Sequence, residues 1–550
     1  MRVLGVSPAH DSSVCVINDG KLEYYFKEER LSRKKRDRYP YLSLIEIHKI
    51  LGQSIDYCVI ASPTENGWND NIALFVHKLF KCPIEFMCNK HHLQHAALSF
   101  ENSNFNEALV FVIDRNGSII NNLMRESETV FIATKYPYKF KEIHKNYWAF
   151  NLGGDESPKI NENIKELSKQ NPTCKYICKS SFNITKVYET ATSLISQHPL
   201  ENGKTMGLSS YGKESDYPNF FAENCIPIDY YFSHDIKDFS PDMSVAINSD
   251  LNKITVKIIE KDNYTDYANY AYQIQRQTQE QVCNFIKKYV NKTGIKNVII
   301  TGGYGLNIVS NSFYVKNLPE VDFYFEPLSD DSGNSIGSAI YFYKIVSKDT
   351  ENYKLKDTFF HGVRHDLSNI SGKTCSYNDV VQLLLNQKSL GVYYGLSEAG
   401  PRSLGNRSIL FDATNKNAKD LINKIKKREW YRPFAAVCLE EDCQKYFNMI
   451  SFKKSEFMTN SFEVKEKYKN VLLGVTHVDG TCRVQTVSES SILFDILRKI
   501  KEKNNIGVLL NTSFNLSGEP LVDTPEQAID CLNNSCLDYI WFPEKNILVE

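Results

Sequence analysis

Three short apolar runs stop at chemically competent turns, and that pattern restricts the fold more than any other feature of the chain. Ala108-Leu109-Val110-Phe111-Val112-Ile113 ends in Asp114. Asn297-Val298-Ile299-Ile300 opens into Thr301-Gly302-Gly303-Tyr304-Gly305-Leu306-Asn307. Asp322 to Phe325 leads to Ser329-Asp330-Asp331-Ser332-Gly333, after which small residues open a helix. Runs of this length and composition read as buried strands. A strand that breaks into glycines and a helix lets backbone N–H groups approach a nucleotide closely, although a plain strand-to-helix turn would use the same glycines. The expectation is an α/β fold with carboxylates at strand ends. At 550 residues the chain exceeds one core, so two domains or three are expected.

The stretch Lys90-His91-His92-Leu93-Gln94-His95-Ala96 adds a metal signature. His91 and His95 are four apart, which on a helix places both imidazoles on one face, a turn apart. Standing alone, such a pair is weak evidence and is better explained as helix surface. With the strand-end carboxylates Asp114 and Asp331 it becomes two imidazoles and two carboxylates, a donor set suited to iron, manganese or zinc. Phosphate oxygens of a nucleotide could complete the coordination.

Arg2 to Val6, Val14 to Ile17 and Lys21 to Phe26 read as strands, joined by the polar turn Ser7 to Ser13 and the hairpin turn Asn18-Asp19-Gly20. This order resembles the start of actin-like and sugar-kinase-like ATPase domains, where the first turn faces phosphate. His10 sits in that turn and is a candidate base or phosphate contact. The run Lys27 to Arg36 has the charge of a solvated helix face, but its place after the hairpin would let one lysine reach the site. Lys204 to Gly212 reads as a glycine-punctuated loop, and Tyr267 to Lys292 as a long helix closed by Gly294. The region from Asp216 to Asp262 reads as an insert.

Beyond a polar linker at 351–372, arginines gather in glycine- and proline-rich segments. Arg402 and Arg407 lie in Gly400-Pro401-Arg402-Ser403-Leu404-Gly405-Asn406-Arg407, Lys426 and Arg432 flank Trp430, and Arg483 follows Asp479-Gly480-Thr481-Cys482. The strand Val508-Leu509-Leu510 opens into Asn511-Thr512-Ser513-Phe514-Asn515. Guanidinium groups fork onto phosphate oxygens while hydroxyls and amides complete the shell, so this half reads as a pocket for a small phosphorylated anion.

Formal net charge is −1, so no overall field favours nucleic acid. The 14 cysteines are scattered without zinc-knuckle spacing and read as reduced thiols of a cytoplasmic protein. The first residues read as strand and turn rather than a signal peptide, and no apolar run approaches the ~20 residues needed to span a bilayer. No internal repeat stands out. A homodimer is compatible with base rates.

Taken together, HHLQHAA, GPRSLGNRSIL, REWYRPFA, HVDGTCRVQTV and NTSFNLSGEPLV resemble the NodU/CmcH-type O-carbamoyltransferases from His10 to Pro520. The resemblance implies an N-terminal actin-like/sugar-kinase-like (ASKHA) domain over residues 1–350, similar to the threonylcarbamoyl-transfer fold, and a C-terminal YrdC-like domain over 373–550. It implies that carbamoyl phosphate and ATP, with Mg, give carbamoyl-adenylate in the YrdC-like domain. The carbamoyl group then passes to a hydroxyl, or alternatively an amine, of a small-molecule or sugar acceptor beside an iron-type metal. By position, His91, His95, Asp114 and Asp331 match the metal ligands, His10 the general base and Lys35 a partner lysine. Lys426, Arg432, Arg483, Ser513 and Asn515 fall where carbamoyl phosphate is held, with Arg402 and Arg407 nearby. Lys204, Gly207, Gly302, Gly303 and Asn307 fall where the adenylate is held. Two departures stand out: Tyr304 in the glycine turn, and Arg115-Asn116 interrupting a usual Asp-Gly pair. Rival readings are a tRNA threonylcarbamoyl-type enzyme, a hydrogenase-maturation carbamoyltransferase and a non-catalytic nucleotide-switch protein.

Overall fold

The computed structural model describes residues 1–62, 70–121, 123–149, 157–179, 184–195, 200–215, 219–221, 259–349 and 359–550. The chain divides into two units. The first comprises Met1–Glu28 and Arg36–Thr358, the second Glu29–Lys35 and Phe359–Glu550.

The first unit holds two sheets. In spatial order, one runs Lys21–Lys27, Ser13–Asn18, Arg2–Ser7, Tyr57–Ser62, Ile84–Cys88. Its first three strands are antiparallel neighbours, and the last two join in parallel. The other runs Lys175–Lys179, Tyr138–Ala149, Met124–Lys135, Glu107–Ile113, Asn297–Thr301, Asp322–Phe325. Here Glu107–Ile113 plays the part of Arg2–Ser7: antiparallel to Met124–Lys135 on one side and parallel to Asn297–Thr301 on the other. Asp322–Phe325 again joins in parallel. The same three-strand meander followed by two parallel strands therefore occurs twice, a repeat of topology that left no visible trace in the sequence.

Each half ends in a helix, His91–Ser103 and Asn334–Ser347. These two pack against each other through small residues. A Cβ on Gly337 would lie 2.0 Å from the Gln94 carbonyl oxygen, and one on Gly5 2.1 Å from that of Ser335. The small residues after Asp331 thus serve close approach of helix to helix and of strand to helix. The central strands Glu107–Ile113 and Asn297–Thr301 are buried along nearly their whole length, which is why they read as continuous apolar runs. Their register pairs Thr301 with Val112, so Asp114 and Gly302-Gly303 emerge side by side.

Several expectations change. Lys204 to Gly212 is not a loop: Asn202–Ser209 is helical, because packing on the long Thr265–Thr293 helix outweighs the poor propensity of glycine. Gly212 then passes so near that helix that a Cβ would fall 2.0 Å from the Ala268 carbonyl oxygen. The first part of the charged run is not a solvated face: Lys27, Glu28, Glu29 and Arg30 are buried, whereas Lys34 and Lys35 are exposed. Residues 359–372 belong to the second unit rather than to a linker, and Phe360–His361 pairs with Ser397–Glu398. Most of the 216–262 insert and residues 350–358 lie outside the described residues.

In the second unit, ten strands form one mixed sheet centred on Leu390–Tyr393, Arg407–Asp412, Val508–Ser513, Ala435–Leu439 and Thr481–Val487. Alternate residues feed opposite faces. Ile409, Phe411, Ala436, Cys438 and Leu510 join one core, while Leu410, Val437, Leu439 and Leu509 join the other. Among the described residues no helix is long and apolar enough to cross a membrane.

Candidate active site

The first unit brings four sequence-predicted ligands together. One donor atom from each of His91, His95, Asp114 and Asp331 lies within 4.8 Å of the others, and all four residues are buried. His91 Nε2 stands 3.3 Å from Asp114 Oδ2 and 3.4 Å from Asp331 Oδ1, and His95 Nε2 stands 3.4 Å from Asp331 Oδ1. The histidines come from the first two turns of the helix ending the first half. Asp114 comes from the end of the first strand of the second half, and Asp331 from the turn before that half's last helix. Repeated topology therefore converges on one point. Asp331, not its neighbour Asp330, faces the imidazoles; Asp330 instead pairs with Lys27 at 3.1 Å and accepts from the Ser332 amide.

The electrostatics fit a divalent cation. Two buried carboxylates beside two imidazoles carry a net negative charge that burial would otherwise penalise. Burial works against the charged form of His91, but Asp331 and Asp114 outweigh it and hold its pKa well above the ordinary value. Burial likewise opposes ionisation of Asp114, yet His91 and His95 hold it well below the usual carboxylate range. Without a cation these groups compensate one another with protons. Nitrogen and carboxylate donors in equal number suit a borderline metal and leave its identity open.

Residues that sequence reasoning missed hold this cluster. Asn334 Nδ2 lies 3.3 Å from His95 Nε2 and 3.4 Å from His91 Nδ1. Ser118 Oγ accepts the His91 backbone N–H at 3.0 Å, serving as a helix cap from a distant loop, since Lys90 provides none. Glu126 accepts from the Ser118 N–H at 3.0 Å and from Lys145 Nζ at 2.7 Å. Burial drives the His92 pKa down to about 3, so this ring is neutral, 2.7 Å from Thr129 Oγ1. No local sequence signal links Ser118 or Glu126 to His91.

His10 sits beside the cluster. Its Nδ1 is 3.1 Å from Asp11 Oδ2, its Nε2 is 3.5 Å from Asp331 Oδ2, and its side chain is 32% exposed, so solvent-borne groups can reach it. Asp11 has a left-handed backbone (φ 62) and also faces Lys27 Nζ at 3.4 Å. Lys27 is the lysine at this turn. Lys35 groups instead with the second unit, where its charge acts on Lys426.

Gly302 and Gly303 meet the metal cluster through Asp114, whose Oδ1 accepts the Gly303 N–H at 3.0 Å. Gly302 has φ +82, and a Cβ there would lie 2.5 Å from the Ile113 carbonyl oxygen, so only glycine fits. Tyr304 turns away from the glycines, and its hydroxyl reaches Thr278 at 2.9 Å and Ser310 at 3.0 Å. Asn307 caps the Ile308–Asn317 helix through Ser310 N and donates to Gln275 at 2.9 Å. Gln275 also accepts from Tyr188, and on the same helix as Tyr188 Thr192 meets Thr205, between Lys204 and Gly207. Lys204 pairs with Glu201.

The second unit gathers cations. Lys426 Nζ donates to Ser513 Oγ at 3.2 Å, Asn515 O at 2.8 Å and Asn515 Oδ1 at 3.0 Å, as well as to the Ser513 carbonyl. Burial, then Arg428, Arg432 and Lys35, pushes its pKa well down. Arg483 is depressed by burial and by Arg402 and Arg432; Arg428 by burial and by Arg432 and Arg483, with Glu429 opposing. Arg402, Arg428, Arg432, Arg483, Lys426 and Lys35 thus repel one another. Sequence reasoning overlooked Arg428.

Arg407 has another task. It donates to the carbonyls of Tyr394 at 2.6 Å, Gly395 at 3.0 Å and Asn406 at 3.2 Å, and lies 3.7 Å over the Tyr393 ring. It ties down the loop instead of facing a ligand. Buried Glu398, also overlooked, accepts from the amides of Leu404 (2.7 Å), Asn406 (3.0 Å) and Arg407 (3.2 Å), fixing the segment that carries Arg402.

A buried carboxylate–imidazole cluster suited to a metal and a half-buried cluster of cations suited to an anion define a two-site α/β protein. A carbamoyltransferase N-terminus model matches residues 70–340 and a carbamoyltransferase C-terminus model matches 381–549. The chain belongs to the carbamoyltransferase family that includes nodulation proteins NolO and U, and it is a carbamoyltransferase enzyme. A protein of Methanocaldococcus jannaschii with no assigned function is 28% identical over 96% of this chain and 96% of its own length. Nodulation protein NolO of Bradyrhizobium diazoefficiens is 27% identical over 82% of this chain and 76% of the relative. Nodulation protein U of Azorhizobium caulinodans is 32% identical over 40% of each. Among solved structures, full-length HypF in its phosphate- and nucleotide-bound form aligns over 63% of this chain and 46% of that one, with TM-score 0.36 and 13% identity. A likeness that distant carries no weight for fold or activity.

Proposed function

We propose that the protein is an ATP-dependent carbamoyltransferase that works in two steps, one in each unit. In this reading the second unit is YrdC-like, and the first is an ASKHA-type transfer domain. The doubled topology of the first unit supports the latter. The observation that carries the reading is the contrast in charge: a carboxylate–imidazole cluster in one unit and mutually repelling cations in the other.

In the second unit, Arg402, Arg428, Arg432 and Arg483 would bind carbamoyl phosphate, while Lys426 holds the Ser513–Asn515 turn in shape around it. Water releases phosphate to leave carbamate. A carbamate oxygen then attacks the α-phosphorus of Mg-bound ATP, giving carbamoyl-adenylate and pyrophosphate. Water has to be excluded at this stage, because the adenylate and carbamate decompose readily.

In the first unit, Gly302, Gly303, Asn307, Lys204 and Gly207 would hold the adenylate. A hydroxyl of the acceptor gives its proton to His10 Nε2. Asp11, accepting from Nδ1, fixes the tautomer that leaves Nε2 free to take it. The acceptor oxygen bonds to the carbamoyl carbon as the bond to AMP breaks. His91, His95, Asp114 and Asp331 would hold a divalent metal, which supplies Lewis-acid polarisation when bound. A nucleotide-switch protein would have no use for the second unit's arginines, and the near-neutral chain speaks against tRNA.

The test is mass spectrometry of the protein with ¹³C-carbamoyl phosphate, MgATP and Fe(II), with no acceptor. Labelled carbamoyl-adenylate, with pyrophosphate release dependent on carbamoyl phosphate, is expected. ADP without pyrophosphate would contradict the reading.

A further inference from the structure

Beside the metal cluster, two cations share one carboxylate. Arg115 Nη2 lies 2.5 Å from Glu189 Oε1, and Lys186 Nζ lies 2.9 Å from Glu189 Oε2. The three side chains are 23%, 11% and 8% exposed, so they are largely desolvated yet open to a ligand on the Arg115 side. Lys186 Nζ also sits 4.3 Å over the Trp148 ring. Arg115 Nε is buried with no hydrogen-bond partner among the described residues. Burial and the repulsion of Arg115 and Arg125 outweigh Glu189 and depress the Lys186 pKa. Glu189 is the one carboxylate bonded to both cations.

Position ties the group to the reacting centre. Arg115 follows Asp114 directly, and Thr185 Oγ1, next to Lys186, donates to the Asp114 carbonyl at 2.7 Å. The Arg115 charge acts on His10, Asp114 and Asp331. A divalent metal bound by Asp114 and Asp331 would neutralise those carboxylates and leave Arg115 and Lys186 facing Glu189 alone. An adenylate brings one negative charge, which a divalent metal held by His91, His95, Asp114 and Asp331 would meet, so the cation pair remains for a second anion.

We infer that Arg115 and Lys186 form an oxyanion subsite for the acceptor, so that the molecule carbamoylated carries a carboxylate, phosphate or sulfate near the reacting hydroxyl. This rests on the two-step reading above. Arg115 stands where the resemblance implies glycine, which makes the subsite a property of this chain and of its choice of acceptor.

The test titrates the full-length, AMP-saturated, metal-loaded protein with inorganic phosphate, glucose 6-phosphate and glucuronate, with glucose as the neutral control. Calorimetry and Trp148 fluorescence are the readouts, and Trp148→Phe identifies the Trp148 signal. Saturable binding of the anionic probes but not glucose is expected. Arg115→Gln and Lys186→Gln should each weaken it roughly tenfold at unaltered AMP affinity and metal content. Binding unchanged in both variants, no saturable binding, or displacement of AMP by the probes would overturn the subsite, the last by assigning the cations to the nucleotide. Pyrophosphate release by the wild-type protein is measured in parallel. Its absence alongside variant-sensitive anion binding would sink the two-step reading and leave the subsite standing.

Discussion

The two centres solve opposite electrostatic problems. In the first unit, carboxylates and imidazoles face each other and shift one another in complementary directions, His91 up and Asp114 down. In the second unit, cations face cations, and burial with mutual repulsion shifts Lys426, Arg428 and Arg483 down. A cluster that compensates itself is a site for a positive ion replacing protons. A cluster that does not is a site for an anion. The scaffolds differ accordingly: the metal ligands are set by helix packing and strand register, while in the second unit Arg407 and Glu398 tie down the loop that carries Arg402.

The contrast predicts separable damage. The largest effect belongs to His91→Ala or Asp331→Ala, expected to remove the bound metal by elemental analysis and lower carbamoyl transfer by roughly 10³-fold or more. Full metal content in both variants would break the assignment. Arg483→Ala should leave metal content alone and raise the KM for carbamoyl phosphate by ~10²-fold, the loss of a desolvated charge partner worth about 3 kcal/mol. Gly337→Ala, which forces a Cβ against the Gln94 carbonyl, should cost ~2 kcal/mol in denaturant unfolding and weaken metal retention, while carbamoyl phosphate binding persists.

Smaller effects depend on pH. Lys426 has a lowered pKa, and a bound anion raises it again. Between the two values binding takes up a proton, so affinity for carbamoyl phosphate should fall as pH rises through that window. Calorimetry in buffers of different ionisation enthalpy reads this directly. Burial raises the Glu126 pKa, but Lys145 and His92 outweigh it and bring it to about 2. Its stabilisation is fully present above the ordinary 4.5 and is lost as pH falls towards 2. Glu126→Gln should therefore flatten the acid limb of the stability curve.

Much of the first centre was legible because strand ends and i,i+4 helix spacing are local. Asp114 stops a run of buried residues, and His91 and His95 share a helix face. Asp331 was legible by its position after the strand, but the role of Asp330 was not, because adjacent residues in a turn point apart and only the contact with Lys27 shows what Asp330 does. Ser118, Glu126 and Asn334 were invisible for the same reason: each acts across tens or hundreds of residues of sequence. Arg407 misled because the sequence shows a guanidinium in a glycine-rich loop but not the carbonyls that surround it. The doubled topology was hidden because packing conserves strand direction and order, which many different apolar residues can satisfy.

The most direct test of the two-centre account compares the half-reactions in His91→Ala and Arg483→Ala. Each variant is assayed for carbamoyl-phosphate-dependent pyrophosphate release in the presence of MgATP. The account predicts near wild-type release in His91→Ala and strongly reduced release in Arg483→Ala. Loss of release in His91→Ala with Arg483→Ala unaffected would contradict it, because adenylate formation would then belong to the metal centre.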